Sequence, residues 1–390
     1  MSPIPLPPHS RRQFIQNTSA LVAGTAATVF SGVPASAAEE GFVPLFNGRN
    51  LNGWLPVNVA PTTFSVRDGL IVSTGLPTGV MRTRRHYENF IMEIEWRHMK
   101  PGGNAGIFVW SEPLTAPGVP FAKGIEVQVI DGDSPEGVWT GHGDIFSIHG
   151  ARCVPDRPHP QGWERCLPSE KRAKPAGQWN HYRIEARDGR ISLAVNGKVV
   201  SGVAQSRPRK GYLCLESEGS ECHFRNLRIR ELPSSNPPAD EVASYDQGFQ
   251  SLYSGIDLSG WQHTPMHQGH WKAADWVLAC DGAGAMVLPS DRVVSGGNAE
   301  FIIDWRPVKP GAIAALILKG SGRDQIELSG SPGKWTRVHV AVDAELLTVT
   351  QSGLVTTQPR VQRSTAPVRL ALAHRGLPVE FANVFARERH

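Results

Sequence analysis

Residues 90–97 read Phe-Ile-Met-Glu-Ile-Glu-Trp-Arg, a segment in which large apolar side chains alternate with other residues. In an extended chain, one face carries Phe90, Met92, Ile94 and Trp96, and the other carries Ile91, Glu93, Glu95 and Arg97. A period of two is typical of a β-strand that buries one face and exposes the other. This segment therefore predicts a half-buried strand.

Other segments of the same kind follow along the chain and are separated by turn residues. Residues 191–195 alternate apolar side chains and run into Asn196-Gly197, a pair that favours a tight hairpin because both residues accept positive φ. The chain has 40 glycines and 31 prolines among 390 residues, and no helical pattern of three turns follows its N-terminal region. We therefore expect an all-β protein built as a sandwich or jelly roll.

The second part of the chain repeats the first. Gly41-Phe-Val-Pro-Leu-Phe-Asn-Gly-Arg-Asn-Leu-Asn-Gly-Trp54 returns as Gly248-Phe-Gln-Ser-Leu-Tyr-Ser-Gly-Ile-Asp-Leu-Ser-Gly-Trp261. Lys100-Pro101-Gly102 returns as Lys309-Pro310-Gly311, and Phe224-Arg-Asn226 returns as Phe381-Ala-Asn383. Because the order of the segments is kept, we expect two tandem β-sandwich domains, residues 41–232 and 245–390, joined by a proline-containing linker at 233–244.

The two copies differ in their polar residues. The segment Ser134–Arg172 has no counterpart in the second copy, and Glu126-Val-Gln128 aligns with Glu327-Leu-Ser329. We therefore expect residues 245–390 to be a degenerate accessory copy that serves packing or glycan contact.

Residues 1–37 have the three parts of an export signal. Ser10-Arg11-Arg12-Gln13-Phe14-Ile15 matches the twin-arginine pattern, a short apolar run follows, and Ala35-Ser36-Ala37 forms a cleavage site. The apolar run is short and rich in small residues, which does not fit a membrane-spanning helix. We expect export by the twin-arginine route to the periplasm or the extracellular space, with no membrane span left after the signal is removed.

Charge and cysteine content narrow the class of protein further. The formal net charge is +4 with scattered signs, so the sequence does not predict nucleic-acid binding. The five cysteines show no metal-ligand spacing; Cys153 with Cys166, and Cys214 with Cys222, are candidate disulfide pairs in an oxidising compartment. No motif names a protein partner.

Five segments of the first copy, taken in order, resemble the 3-keto-disaccharide hydrolase family: "GFVPLFNGRNLNGW", "GGNAGIFVW", "GIEVQVID", "GQWNHYRIEARDGRISLAVNGKVV" and "GYLCLESEGSECHFRNLRIREL". The resemblance covers about residues 41–232. It implies a concanavalin-like β-sandwich and a carbohydrate substrate, namely a glycoside oxidised to a ketone at C3.

Two clusters of polar residues are candidates for the chemistry. Alternation places Glu126 and Gln128 on one face of their strand, away from the core. The resemblance favours a substrate-holding face over two solvated side chains. The second cluster, Thr140–Gly150, brings His142, Asp144 and His149 into a glycine-rich loop that a ligand can approach closely. A divalent metal ion is an open alternative there, although no zinc motif supports it.

Several residues outside these clusters complete the candidate set. Asn104 and Trp110 lie in the "GGNAGIFVW" segment, and Trp110 and Trp139 are candidate stacking platforms for sugar rings or, as commonly in sandwiches, core residues. Glu170 and Lys174 precede the Gly177-Gln-Trp179 segment. Glu216 follows an apolar run, so burial would raise the pKa of its carboxyl.

A ketone at C3 acidifies the C2 proton, so cleavage requires a base over C2, a donor to the enolate oxygen and an acid for the leaving group. We expect His142 or Asp144 as the base, Glu126 as the acid or an orienting residue, Gln128 as a hydrogen-bond partner and Lys174 as a stabilising charge. Water then adds to the unsaturated ketone that elimination produces, or the enzyme catalyses net hydrolysis. Two alternatives stay open. One is a retaining glycosidase, whose carboxylates stand about 5–5.5 Å apart and for which Glu126 and Asp131 are the candidate pair. The other is a lectin-like glycan-binding protein.

Overall fold

In the computed structural model, residues 41–134, 141–320 and 322–389 are described, and almost all of their regular structure is β-strand. The predicted signal peptide and Trp139 lie outside the described residues. No helix in these ranges is long and apolar enough to cross a membrane. The predicted all-β class is confirmed.

The described part of residues 41–232, called the first half below, contains sixteen strands. They are β1 (Val43–Pro44), β2 (Trp54–Pro56), β3 (Phe64–Arg67), β4 (Leu70–Ser73), β5 (Gly79–Thr83), β6 (Phe90–His98), β7 (Asn104–Ser111), β8 (Gly124–Ile130), β9 (Ile145–Ile148), β10 (Arg152–Pro155), β11 (Arg165–Cys166), β12 (Asn180–Arg187), β13 (Arg190–Val195), β14 (Lys198–Arg207), β15 (Tyr212–Ser217) and β16 (Cys222–Glu231).

A short 3-10 helix, Ala239–Glu241, precedes residues 245–390, the second half, whose described part contains twelve strands. They are β17 (Gln250–Ser251), β18 (Trp271–Ala274), β19 (Val277–Cys280), β20 (Val287–Val294), β21 (Asn298–Pro307), β22 (Ala314–Lys319), β23 (Arg323–Leu328), β24 (Thr336–Asp343), β25 (Leu346–Gln351), β26 (Leu354–Pro359), β27 (Val368–His374) and β28 (Val379–Glu388).

The first half is a sandwich of two antiparallel sheets. The nine-stranded sheet has the order β10-β14-β13-β12-β6-β16-β4-β3, with β1 paired to β16, and the seven-stranded sheet has the order β11-β9-β8-β7-β15-β5-β2. One apolar core lies between the sheets and takes Met92 and Trp96 from β6 together with Ile107 from β7 and Val127 from β8. The alternation of β6 thus buries the face that its sequence predicts.

The second half pairs its sheets in the same way. An eight-stranded sheet runs β18-β19-β28-β21-β24-β25-β26 with β17 on β28, and a four-stranded sheet runs β20-β27-β22-β23. Its separate core takes Phe301 and Trp305 from β21, and Leu316 and Leu372 from the four-stranded sheet.

Equivalent irregularities occur in both halves. Trp96 pairs with Phe224 and Trp305 pairs with Phe381, and in each closing strand the register shifts just after this pair. The shift coincides with an asparagine at positive φ, Asn226 (52°) in β16 and Asn383 (48°) in β28. Two sequences that place the same bulge at the same point support the proposal of a duplicated domain.

The strand register corrects one detail of the repeat. When Lys100-Pro101-Gly102 is aligned with Lys309-Pro310-Gly311, Gly106 corresponds to Ala315. Gly106 pairs with Gln128, whereas Ala315 pairs with Glu327. Glu327 is therefore the counterpart of Gln128, and the predicted alignment of Glu126 with Glu327 is wrong by two residues.

The two halves meet where the β7–β8 connection, residues 112–123, docks on the eight-stranded sheet. Asp304, fully buried, accepts hydrogen bonds from Gly118 N (2.8 Å) and Asn383 Nδ2 (2.7 Å). Its carboxylate also holds Arg337 at 2.7 and 2.9 Å, and Arg337 Nη1 donates to Thr115 O at 2.9 Å. This carboxylate therefore ties the connection of the first half to two strands of the second.

Neither candidate disulfide is formed. All five cysteines are free and buried. Their side chains serve as small apolar groups, and burial raises the pKa of the Cys153 thiol to about 11.

We expect the Asp304→Ala variant to lose about 2–4 kcal/mol of the free energy of unfolding, because removal of this fully buried carboxylate leaves Gly118 N and Asn383 Nδ2 without their acceptor. Glu95 occupies the equivalent position on β6 and pairs with Arg225 at 2.7 Å, but its side chain is 23% exposed. Glu95→Ala should therefore cost only about 0.2–1 kcal/mol. Urea unfolding of both variants compares the two costs; similar values would contradict the role assigned to Asp304.

Candidate active site

The central strand of the site is β8. Its residues Ile125, Val127 and Val129 face the core, as the alternation predicts, so Glu126 and Gln128 lie on the outward face of the seven-stranded sheet. This face is covered: Glu126 is 6% exposed and Gln128 is 5% exposed. Glu126 stands between two aromatic residues, because it pairs with Phe108 on β7 and with Phe146 on β9.

A second carboxyl group meets Glu126 across Gly106. A Cβ atom at Gly106 would lie 2.8 Å from Glu126 Oε1 and 2.9 Å from Glu216 Oε2. Both oxygens are thus within 3 Å of one point, which places them less than about 6 Å from each other. Only glycine leaves this space open. Glu216, on β15, is 1% exposed, and no described residue hydrogen bonds to its Oε2.

Glu218 completes a carboxyl cluster that we define as Glu126, Glu216 and Glu218. Burial raises the pKa of Glu126 to about 8; the charges of Glu218 and Asp144 act in the same direction, and Arg165 opposes them. The pKa of Glu216 lies well above its ordinary value because of burial and the charges of Glu126 and Glu218. Burial also raises the pKa of Glu218, against the effect of hydrogen bonds from Glu216 and Asn104. At neutral pH the cluster therefore retains protons.

A chain of amides orients the cluster from one side. Gln128 Nε2 donates to Asn104 Oδ1 at 2.6 Å, and Asn104 Nδ2 donates to Glu218 Oε2. The backbone of Gln128 is also fixed, because Tyr182 Oη donates to its carbonyl oxygen at 2.8 Å. Asn104 and Gln128 therefore have settled positions beside the carboxyl groups before any ligand arrives.

A partly buried cation lies on the other side of Glu126. Arg165 on β11 pairs with Phe146, and its guanidinium carbon lies 3.6 Å from the centre of that ring. Its Nε is 3.5 Å from Asp144 Oδ2, and its charge acts on both Asp144 and Glu126. Asp144 is therefore near the cluster, but it is fully buried next to Arg165. No sequence pattern indicated Arg165, since β11 is only two residues long.

His142 is not a surface residue of the loop. It is 1% exposed, and its Nε2 lies 3.0 Å from Ser134 O. The neighbouring Gly143 reaches the interior, since a Cβ there would lie 3.0 Å from Leu193 Cδ2. The segment Gly141–Asp144 thus enters the edge of the sandwich.

Four of the predicted site residues lie apart from the carboxyl cluster. Trp110 is fully buried in the core with its Nε1 donating to Glu88 O at 2.8 Å, so it is not a platform for a sugar ring. His149 is exposed and stacks on Phe121 with ring centres 6.0 Å apart. Glu170 forms ion pairs with Lys198 and Arg172. Lys174 is exposed, and its backbone bonds to Gly132 and Asn180.

The alternative carboxylate of a glycosidase pair, Asp131, has another role. Its oxygens accept hydrogen bonds from Gly103 N at 2.7 Å, Asp133 N at 2.9 Å and Ser134 Oγ at 2.9 Å. Among the residues that the structure describes, no group of three or more His, Cys, Asp or Glu side chains has the arrangement of a metal site.

We expect the Glu218→Gln variant to lower the pKa of Glu126 below about 8, because it removes a neighbouring negative charge. The pKa should stay above its ordinary value, since burial is unchanged. Carbon-13 NMR titration of labelled glutamate, assigned with Glu126→Gln, measures the shift. Glu170→Gln, which changes a surface carboxylate, is the matched control. An unchanged or higher pKa in Glu218→Gln would contradict the electrostatic description of the cluster.

Comparison with known proteins places the first half in a family. Residues 41–230 match the 3-keto-alpha-glucoside-1,2-lyase-like domain. A candidate glycosyl hydrolase from Parabacteroides distasonis ATCC 8503 is similar over 50% of this chain and 95% of its own, with 24% identity and a TM-score of 0.39. The carbohydrate-binding module CBM66 from Bacillus subtilis is similar over 46% of this chain and 96% of its own, with 12% identity and a TM-score of 0.32. None of the curated proteins compared with the chain matches it. Residues 41–230 therefore form a domain of the 3-keto-alpha-glucoside-1,2-lyase-like family.

Proposed function

We propose that the protein cleaves glycosides oxidised to a ketone at C3, and that the carboxyl cluster performs the proton transfers. The observation that carries the proposal is the pair Glu126 and Glu216, buried and facing each other across Gly106. Membership of the lyase-like family supports this substrate class. We also propose that the protein acts after export, on the evidence of residues 1–37.

The reaction is a β-elimination. A base removes the C2 proton, which the adjacent ketone acidifies, and the electron pair forms an enolate. The enolate then expels the substituent at C1, so that a double bond forms between C1 and C2 while the leaving oxygen takes a proton from an acid. Addition of water across this double bond gives the keto sugar. The site must therefore hold a proton acceptor and a proton donor at the same pH.

The cluster meets this requirement because its members differ in environment. Glu218 is half-buried and accepts a hydrogen bond from Asn104, which favours its ionised form, so we assign it as the base for C2. Glu126, with a pKa of about 8, is protonated at neutral pH and is the donor to the leaving oxygen. Glu216 lies between them and returns the proton from Glu218 to Glu126 after each turnover.

Two further groups bind the substrate in this proposal. The amides of Gln128 and Asn104 lie beside the carboxyl groups and would hydrogen bond to sugar hydroxyls. Arg165 carries a charge that cannot be lost near neutral pH and would offset the negative charge of the enolate oxygen. This assignment replaces Lys174, which is exposed and is not among the charges acting on Glu126.

The base is likewise assigned differently from the sequence prediction. His142 and Asp144 are both buried, and Asp144 faces Arg165. In our proposal Asp144 positions Arg165, and the base is a carboxylate of the cluster. The spacing of Glu126 and Glu216 also suits a retaining glycosidase, whose carboxyl groups stand about 5–5.5 Å apart. The two reactions differ in whether the substrate must be a ketone.

We expect the purified mature protein to release 4-nitrophenol from 4-nitrophenyl 3-keto-glucoside and not from the unoxidised glucoside, since only the ketone acidifies C2. Absorbance of the released phenol, followed with and without a chelator, measures both rates. Comparable release from the unoxidised glucoside would favour the retaining glycosidase. Binding of both compounds without release would favour the glycan-binding alternative.

A comparison of two leaving groups tests Glu126 as the acid, with 4-nitrophenol followed by absorbance and methanol by proton NMR. Glu126→Gln should lower kcat/KM roughly a hundredfold or more on a methyl 3-keto-glucoside, whose leaving group needs a proton, and much less on the 4-nitrophenyl compound. For the wild type, kcat/KM should fall as the pH rises through about 8, because Glu126 loses the proton that it must donate. Glu170→Gln is the control and should behave as the wild type. Equal losses on both leaving groups would rule out Glu126 as the acid.

A further inference from the structure

The turn between β18 and β19 of the second half reaches the first half beside the carboxyl cluster. Asp275, in this turn, accepts hydrogen bonds from Thr78 N and Thr78 Oγ1, both at 2.6 Å. It has a φ of 56°, and its carbonyl oxygen accepts a hydrogen bond from Tyr253 Oη at 3.0 Å. These contacts fix the turn against the first half.

Thr78 lies next to the strands of the cluster. It precedes β5, whose first residue, Gly79, pairs with Ser217, the residue between Glu216 and Glu218. The charge of Asp275 also acts on Glu218. The β18–β19 turn is therefore close enough to the cluster for its charge to affect the proposed base.

Two indole rings lie next to this contact. Trp276 comes directly after Asp275, and its ring centre lies 5.6 Å from that of Trp335, at an angle of 40°. Trp335 contacts the tip of the β7–β8 connection, since a Cβ at Gly118 would lie 2.4 Å from Trp335 Cβ. Both tryptophans are only partly buried, unlike Trp271 and Trp305 in the core of the second half.

One ring is held rigidly and the other is less constrained. The guanidinium of Arg306 lies 4.6 Å from the centre of the Trp335 ring, and Arg306 is itself paired with Glu380. Trp335 is thus fixed by Arg306 and Gly118, and it supports Trp276. A rigid, partly exposed aromatic surface is suited to binding the apolar face of a sugar ring.

We propose that the second half completes the active site, with Trp276 and Trp335 stacking on the ring of the leaving group. The ligand class is the second sugar, or another ring-bearing alcohol, attached at C1 of the keto sugar. This inference rests on the proposed function. It gives the second half a part in substrate selection, although its own counterpart of the cluster is lost: Ala315 stands for Gly106, and Ala373 stands for Glu216.

The test compares leaving groups of different size in the full-length mature protein. Trp276→Ala should lower kcat/KM on a 3-keto-disaccharide roughly five- to tenfold, mainly through KM, because it removes a stacking contact. On methyl 3-keto-glucoside, which has no second ring, its kcat/KM should stay within about twofold of the wild type. Trp276→Phe should recover most of the loss.

Trp179→Ala is the matched control. Trp179 is also partly buried and lies against arginines, Arg97 and Arg225, but on the nine-stranded sheet. It should leave both substrates unaffected. Equal losses of Trp276→Ala on both substrates, or no loss on the disaccharide, would overturn the inference while leaving the proposed function intact.

A second readout keeps the inference testable if the wild type cleaves neither ketone, in which case the proposed function itself has failed. Calorimetric titration with the unoxidised disaccharide and with methyl glucoside then compares the wild type with Trp276→Ala. If Trp276→Ala has a higher Kd than the wild type for the disaccharide but not for methyl glucoside, the ring-binding role of the tryptophans is supported. An equal Kd for the disaccharide in both proteins overturns it.

Discussion

The burial of Glu126 and Glu216, which face each other across Gly106, governs the chemistry of the outward face of the seven-stranded sheet. Two carboxyl groups less than about 6 Å apart, each at most 6% exposed, cannot both ionise at neutral pH. The arrangement requires glycine between them, and the second half, which has Ala315 in place of Gly106, also lacks both carboxylates. The protons that burial keeps on these carboxyl groups are the feature from which the proposed elimination follows.

The junction between the halves depends on a second buried carboxylate. Asp304 binds Gly118, Arg337 and Asn383, so the position of the β7–β8 connection against the eight-stranded sheet is fixed. Phe121 of this connection packs with Phe108, which neighbours Glu126. The same docking brings Asp275 against Thr78. The electrostatic environment of the carboxyl cluster therefore involves both halves, since the charge of Asp275 acts on Glu218.

Much of the fold follows from local alternation, which depends only on the period of the strand. The faces of β6 and β8 could be predicted in this way, and so could the outward position of Glu126 and Gln128. Trp110 could not, because the register shift between β7 and β15 and its positive φ of 55° turn it into the core. Arg165 and Asp275 reach the cluster through non-local pairing, which leaves no local pattern in the sequence. The apolar run before Glu216 predicts the raised pKa of its carboxyl, but the proximity of Glu216 to Glu126 depends on the order of the strands.

In the first step of the proposed reaction, the carboxyl cluster removes the C2 proton of a 3-keto sugar. The most direct measurement uses 1,5-anhydro-3-keto-glucitol, which has no leaving group at C1, in deuterium oxide. Proton NMR follows the exchange of its C2 proton with and without the protein. We expect exchange that is catalysed by the wild type and strongly reduced in Glu218→Gln. Exchange at the uncatalysed rate in the wild type, or undiminished exchange in the variant, would contradict it.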